Sequence, residues 1–595
     1  MMKKVLAGIM SCLLLVTACA CGGGEGKRTL VYPNFPETPA QGESWEYIDP
    51  NEEITLRWFI NYRGSSDFTT RIAKEVKERL GVDIQFTFDD GTGQKMNLIM
   101  NGKQKYDIIS VQAWQPQASL LAMQNYIFPI DELSKRWAPN LLSKIGSDLR
   151  NYYEMADGYI YGLPSSSYSE EDMEEGQKYD SNGALLVRKD WLEEYFAAAG
   201  WTTDAQKEQI TTKDGLKAAM NWVKSNKPAS SGGQTLSPLL IDAFTLEGNN
   251  SVLWLSQFFA APWEDAEGNW QDVRTTSQYK EALAYLNECR REGLINDFYT
   301  TTGPIEQIIR AGQAFAVLGT PQLYTSSFEY AYENGVEYIP IAIRNDAGDA
   351  PVLQDMTGYG YMYNMIMYTC ERPDIVIKLF DFLYSEEGQY LTTFGIEGVH
   401  WNWDETKTRI EWTQEYLDGK IADEGYAFSQ GIGRLDMFER PAVTDKVKPQ
   451  NGLFAEEAYS ANLKWPIACW SYSFSIGRPN LDSSASDFRQ IINIYSAVEG
   501  AWQSRLLTML EQRSAEAFEA YYDNVMQTLE KAGMARLEQS FNTVFQRNKR
   551  AQGLEFAYPA LRADYGEGPA LADGGKIPFY GDLSYRTEYE ILEKN

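Results

Sequence analysis

Apolar and polar positions alternate roughly through Ile54-Thr55-Leu56-Arg57-Trp58-Phe59-Ile60, the period of a strand. Phe68, Ile72, Val76 and Leu80 then recur at helical spacing, and Gly81 marks the stop. Residues 82–88 alternate again, and residues 96–100 begin another helical stretch. Tyr106-Asp107-Ile108-Ile109-Ser110-Val111 reads as a buried strand. Strand, helix, strand, helix, strand predicts an α/β sheet with parallel strands. Farther on, residues 216–223 and 279–293 read as helices, and 313–319 and 336–343 as strands. Pro373 opens a helix carrying Ile375, Val376, Leu379, Phe380 and Leu383. Residues 488–548 are the clearest helical part, and the Gly- and Pro-rich stretch 553–595 is expected at the surface. There is no internal repeat, and residues 19–50 read as a flexible tether.

In open parallel sheets ligands sit beyond the carboxyl ends of the strands. Those ends here are Asn61-Tyr62-Arg63, Asp89-Asp90-Gly91 and Gln112-Ala113-Trp114, each a polar or aromatic cluster after an apolar strand. Aromatic residues amount to 13% of the chain, and aromatics in loops offer flat apolar faces with polar edges, on which the C–H faces of a sugar ring stack. Trp114, Tyr168, Tyr359, Tyr361, Trp401, Trp403, Trp465 and Trp470 are the loop candidates, whereas Trp254 and Trp263 read as core. Asn61, Asp89, Asp90, Gln112, Asp355 and Glu397 are the polar candidates, because amides and carboxylates pair with hydroxyls. Several of these double as turn or cap residues, Asp89-Asp90-Gly91 above all. Arg434 and Arg440 read as surface ion-pairing residues that a charged sugar would also suit.

Composition removes other chemistries. The formal charge of −29 repels nucleic acid and anionic lipid, so neither is an expected partner through charge. His400 is the single histidine, which rules out a His-rich zinc site and leaves one candidate base for any Ser or Cys nucleophile. No G-x-S-x-G elbow accompanies it. Beyond the N-terminal segment only Cys289, Cys370 and Cys469 remain, too dispersed for a metal knuckle or a disulfide framework and expected buried and free. No later segment has the apolar length of a membrane span.

The N-terminus has Lys3 and Lys4, a short apolar run over residues 5–16, then Val16-Thr17-Ala18-Cys19. It resembles a bacterial lipoprotein signal peptide with its lipobox. The resemblance implies removal of residues 1–18, lipidation of Cys19, and an extracellular protein anchored to the cell membrane. An ordinary secretory signal cut elsewhere is the alternative.

Several phrases point further. They are Tyr126-Ile127-Phe128-Pro129-Ile130-Asp131-Glu132-Leu133, Asp157-Gly158-Tyr159-Ile160-Tyr161-Gly162-Leu163-Pro164, Arg188-Lys189-Asp190-Trp191-Leu192, Gly312-Gln313-Ala314-Phe315-Ala316 and Gly395-Ile396-Glu397-Gly398-Val399-His400-Trp401. In this order, behind a lipobox, the chain resembles an extracellular solute-binding lipoprotein of family 1, the carbohydrate ABC-transporter type, in its large Gram-positive form. The resemblance spans residues 50–548. It implies an α/β, two-lobed, periplasmic-binding-protein-like fold of type II with a helix-rich C-terminal part. The expected N-terminal lobe is 51–165 with about 325–385, and the C-terminal lobe 166–324 with about 386–552. It also implies an oligosaccharide ligand in the cleft, an ABC permease as partner, a monomer, and neither catalysis nor cofactor.

Many relatives carry a D-x-D-x-N-G calcium loop after the helix near Trp222. Here the stretch is Lys227-Pro228-Ala229-Ser230-Ser231-Gly232-Gly233-Gln234, without a carboxylate, so no metal is expected there. Glu264-Asp265-Ala266-Glu267-Gly268-Asn269 is the one dense acidic loop that would replace it, and it also reads as a solvated turn. The rival functions are an extracellular glycoside hydrolase using two carboxylates, a same-fold sensor or polysaccharide adhesin, and a receptor for a peptide or polyamine.

Overall fold

The computed structural model describes residues 29–63, 69–89, 94–100, 103–113, 116–167, 169, 181, 183–231, 233–241, 251–295, 303–349, 351–354, 360–463, 470–472, 477, 479–551, 553 and 589–594. The first alternating run becomes the strand Ile54–Arg63, paired in parallel with Val82–Asp89 and Ile108–Gln112. Between the first two lies the helix Arg71–Leu80. Thr70 Oγ1 accepts the Ala73 N–H at its start, Gly81 ends it at φ 64°, and Ile72, Val76 and Leu80 face inward. Met362–Ile366 joins the sheet antiparallel to Ile108–Gln112, and Leu163–Pro164 forms the far edge.

A second sheet runs in the spatial order Tyr338–Ile341, Ala184–Arg188, Ala314–Gly319, Ser237–Ile241. Its last pair is parallel and the other two are antiparallel. Three closing helices, Phe488–Leu510, Ala515–Ala532 and Met534–Ala551, bury Trp502, Phe518, Tyr522, Val525 and Phe545 in the core of this sheet. Each sheet has its own hydrophobic core, one holding Trp58, Phe59, Trp137 and Phe380, the other Trp254, Phe258, Phe315 and Trp502. Two cores mean two lobes.

The lobes exchange chain at other points than expected. Residues 325–343 stay with the second sheet, because Tyr338–Ile341 pairs with Ala184–Arg188. The return to the first lobe comes at Met362–Ile366, and Leu391, Tyr416, Ile432, Leu435 and Phe438 then pack on the first core. Residues 451–463 recross, since Leu463 and Tyr459 pack on the second lobe. Periodicity fixes the kind of element but not the sheet that receives it.

Residues 29–50 are not a free tether either. Tyr32 packs on Phe128 and Phe35 on Trp137, and Trp45 and Ile48 are buried in the first core. Ser44 Oγ donates to Asp381 and Lys144 Nζ bridges Glu43 and Asp381, both at 2.7 Å. The aromatic residues in this polar, Pro-rich stretch supply the apolar area that holds it down.

Candidate functional site

The carboxyl edge of the first sheet is where the chain is least regular. The ladder between Ile54–Arg63 and Val82–Asp89 slips after Ile60, so that Arg63 pairs with Asp89. That bulge frees Asn61, which is half-buried, while Asp89 is buried. One strand over, Gln112 pairs with Met362, the Ala113 N–H donates to Tyr361 O at 2.9 Å, and the Tyr361 N–H donates to Ser165 O at 2.8 Å. Tyr361 and Gln112 therefore sit side by side at the strand end. Gly360, just before, has φ 133°, and a Cβ on it would lie 2.6 Å from Pro164 Cβ and 3.0 Å from Ser165 O. Only glycine fits that close backbone approach.

Tyr361 keeps 42% of its surface open, yet the surrounding protein raises its phenol pKa, with the Asp436 charge adding to the shift and a hydrogen bond to Gln112 opposing it. Asp436 is likewise solvent-exposed, and its carboxyl is raised by desolvation against backbone N–H bonds that lower it. Glu439 is half-buried and raised by desolvation, then by Asp436 and Asp445. Tyr361, Asp436 and Glu439 all keep contact with water. Ser166 joins them: at φ 48° its N–H donates to Glu439 O at 2.7 Å, and its hydroxyl lies 3.4 Å from Glu439 Oε2. Asp436 and Glu439 were not singled out by sequence. Asp436 opens a 3-10 turn, Asp436–Phe438, and Glu439 follows it; neither carries a periodic signal, and only folding brings them to the sheet edge.

That turn is held from below by buried amides. Trp58 Nε1 donates to Ser110 Oγ at 2.7 Å, Ser110 Oγ donates to Asn364 Oδ1, and Asn364 Nδ2 donates to Leu163 O at 3.0 Å and to Met437 O. Gln389 Nε2 donates to Phe438 O at 2.7 Å, and Gln389 Oε1 accepts the Arg440 N–H at 2.6 Å. Arg440 is spent here, donating to Tyr384 O at 2.7 Å with its guanidinium over the Tyr384 ring. Arg434 lies over Phe428.

Beside Gln112 and Ala113 the lobes meet. A small, open crevice is walled by Ala113, Tyr152, Tyr153 and Tyr363 from the first lobe and by Leu481 and Arg547 from the second. Leu120 packs in a small buried cluster with Phe488 and Ile492.

Other candidates fall elsewhere. Trp401 is buried, packs on Tyr390, and donates its indole N–H to Gly395 O at 2.8 Å, so it is a packing residue. Trp403 stacks edge-on against Trp401 and Tyr390 in the same small cluster. Glu397 bridges to Trp401 in that turn. Trp254 and Trp263 are core, Trp254 donating to Thr320 Oγ1 at 2.9 Å. Trp470 starts the strand Trp470–Tyr472, which pairs with Val352–Gln354, whose Val352 and Leu353 lie in the second core. Cys19, Asp90, Trp114, Tyr168, Asp355, Tyr359 and Trp465 lie outside the described residues.

His400 is buried, its Nδ1 accepts the Ile396 N–H at 2.9 Å, and burial, with Arg71, lowers its pKa. Cys289 and Cys370 are free and buried, and burial pushes the Cys289 thiol up to about 12. In the acidic loop, Glu264 pairs with Lys549, which also donates to Gly268 O at 3.0 Å, and Asp265 Oδ1 accepts the Glu267 and Asn269 N–H groups. At the start of the carboxylate-free stretch 227–234, Lys227 Nζ pairs with Glu194 and lies over Trp191 and Trp222. No helix among the described residues is long and apolar enough to cross a membrane.

No family model matches the chain. In sequence it is similar to the polygalacturonan/rhamnogalacturonan-binding protein YtcQ of Bacillus subtilis (strain 168), 22% identical over 410 residues that cover 67% of this chain and 75% of YtcQ. In fold it is similar to the Streptococcus pneumoniae ABC-transporter substrate-binding protein FusA in complex with kestose, with a TM-score of 0.59, 14% identity, and coverage of 84% of this chain and 100% of FusA. An extracellular solute-binding protein from Bifidobacterium longum subsp. infantis gives a TM-score of 0.57 at 14% identity, over 86% of this chain and 99% of that one. The chain has the two-lobed fold of solute-binding proteins, and its sequence is similar to that of a polysaccharide-binding protein.

Proposed function

We propose that a chain with this fold is an extracellular solute-binding protein, anchored by lipid at Cys19, that captures an oligosaccharide between its lobes and delivers it to an ABC permease. The observation that carries the reading is the set Gln112, Ser166, Tyr361, Asp436 and Glu439 at the carboxyl edge of the first sheet, open to water yet surrounded by protein. A phenol ring gives a stacking face. An amide and two carboxylates accept and donate hydrogen bonds to ring hydroxyls in pairs. Closure of the second lobe removes the bound sugar from water, and the closed pair of lobes is what a permease reads.

Trp114, Tyr168, Asp355, Tyr359, Trp465 and Trp470 are proposed as further contacts. Sequence adjacency supports them: Trp114 follows Ala113, Tyr359 precedes Gly360, Tyr168 follows Ser165-Ser166-Ser167, and Asp355 follows the strand Val352–Gln354. Asn61 and Asp89 complete the edge. The protein acts as a monomer without cofactor or catalysis. YtcQ's acidic polysaccharide makes oligogalacturonides the first ligands to test.

The test is a thermal-shift screen of the soluble chain, beginning after the lipid site, against acidic and neutral oligosaccharides of graded length. A ligand that binds only the folded state adds about 2.7 kcal/mol of stability at a hundredfold excess over its Kd. A shift with one oligosaccharide and no shorter products after incubation supports the receptor. Product release would instead favour a hydrolase using Asp436 and Glu439, and shifts only with peptides or polyamines would overturn the sugar reading. Cys19→Ala is expected to release the protein from membranes into the medium, which immunoblotting of both fractions reads.

A further inference from the structure

The last described residues return to the body of the protein. Glu590–Leu592 forms a strand that adds in parallel to Asn451–Phe454, the segment on which the chain recrosses between lobes. Two residues on, Lys594 Nζ meets three carboxylates: Glu424 at 2.8 Å, Glu456 at 2.5 Å, and Glu333. It also lies 5.1 Å from the centre of the Phe454 ring.

These carboxylates come from different lobes. Glu424 lies between the helices Gln414–Ala422 and Tyr426–Gln430, whose Tyr416 and Tyr426 pack on the first core. Glu333 ends the helix Thr325–Glu333, whose Phe328 and Ala331 pack on the second sheet. Glu456 lies in Ala455–Ala461, whose Tyr459 stacks 4.2 Å from Tyr332 and bonds to Tyr338. The carboxylate oxygens of the three lie within 4.8 Å of one another. Like charges that close repel, and a cation between them turns repulsion into a bridge. Their field reaches Glu329, whose carboxyl is raised by desolvation first and by Glu457, Glu456 and Glu424 after it.

We infer that the C-terminal residues 589–594 are a strap across the lobe junction, with Lys594 as its clasp: docked, it holds the first lobe to the second, and released, it lets the lobes open farther. The inference rests on the two-lobed reading but not on the ligand. One exposed ion pair contributes little. Here one ammonium joins carboxylates of both lobes, beside Lys420, whose Nζ pairs with Glu457 at 2.8 Å between the helices Gln414–Ala422 and Ala455–Ala461, and strand pairing holds it in place, so its effect falls on the open–closed equilibrium more than on global stability. Lys594 is 41% exposed at its side chain, so salt weakens the clasp.

The experiment compares four proteins with the parent, all without ligand: a chain ending at residue 588, Lys594→Ala, Lys594→Arg and Glu424→Gln. Small-angle scattering reads the lobe separation, and hydrogen exchange reads the Asn451–Phe454 strand. The truncation and Lys594→Ala are expected to enlarge the radius of gyration and to speed exchange at residues 451–454 by about tenfold, the factor that loss of one charge-assisted contact produces. Lys594→Arg should behave as the parent. Glu424→Gln should enlarge the radius as Lys594→Ala does, because it cuts only the first-lobe side. An unchanged radius in Glu424→Gln would mean that the lysine merely anchors the tail to the second lobe, and the strap would be refuted. Parent-like scattering and exchange in the truncation would refute it outright. Absence of sugar binding would defeat the functional reading and leave this result untouched.

Discussion

At the scale of single residues, the carboxyls of Asp436 and Glu439 tie stability to function. Both are raised, chiefly by desolvation, so each binds its proton more tightly folded than unfolded. The sign follows from linkage. Their protonation stabilises the fold fully below the ordinary carboxylate range, and that contribution is lost as pH rises through the raised values. Asp436→Asn and Glu439→Gln should therefore raise the melting temperature at neutral pH, with the gain vanishing in acid, which scanning calorimetry across pH reads. On the proposed function the same substitutions should weaken oligosaccharide binding, because each removes a carboxylate that would accept ring hydroxyls. Tyr361→Ala, 42% exposed in the parent, should cost about tenfold to a hundredfold in affinity by calorimetry while moving the melting temperature little. If affinity is unchanged, the edge at Gln112 is not the binding surface.

At the scale of elements, two contacts fix how segments meet. Gly360 sets the approach of the strand Met362–Ile366 to Leu163–Pro164. Gly360→Ala meets both a left-handed φ and a 2.6 Å contact, and should destabilise by about 2 kcal/mol or more in urea melts. Lys549, on the last long helix, pairs with Glu264, their side chains 5% and 0% exposed. Lys549→Met leaves that carboxylate buried without its cation and should cost about 3–5 kcal/mol, while adding Glu264→Leu should recover most of the loss. A double variant as unstable as the single one would mean that the loop needs the charge itself. The pair also gives the acidic loop a partner within the protein, an end that its Glu- and Asp-rich sequence does not announce.

At the scale of the whole molecule, the two cores and the chain that crosses between them make hinge closure the expected motion. Saturating oligosaccharide should shrink the radius of gyration in scattering by about 1 Å, the size of a modest domain closure, and an unchanged radius would argue for binding on one lobe alone. The contact of Leu120 with Phe488 and Ile492, beside the Arg547 crevice, is where closure would be felt first.

By itself the sequence determined the local grammar: the strand at Ile54, the helix up to its Gly81 stop, the parallel pairing of the first three strands and the helical character of residues 488–548. These follow from hydrophobic period and from Gly and Pro chemistry, which act within a few residues. It also marked the edge proposed here for binding, at Asn61 and Gln112, because strand ends in parallel sheets are legible from period alone. Only the tertiary structure decided that Tyr338–Ile341 belongs to the second sheet, that Trp401 packs inward, that residues 29–50 are fastened to the first lobe, and that Asp436 comes near Tyr361 and Glu439 against Ser166. Each of those depends on contacts between residues tens to hundreds of positions apart. Which partner an apolar face or a carboxylate finds is set by packing the whole chain at once, and no local period records it.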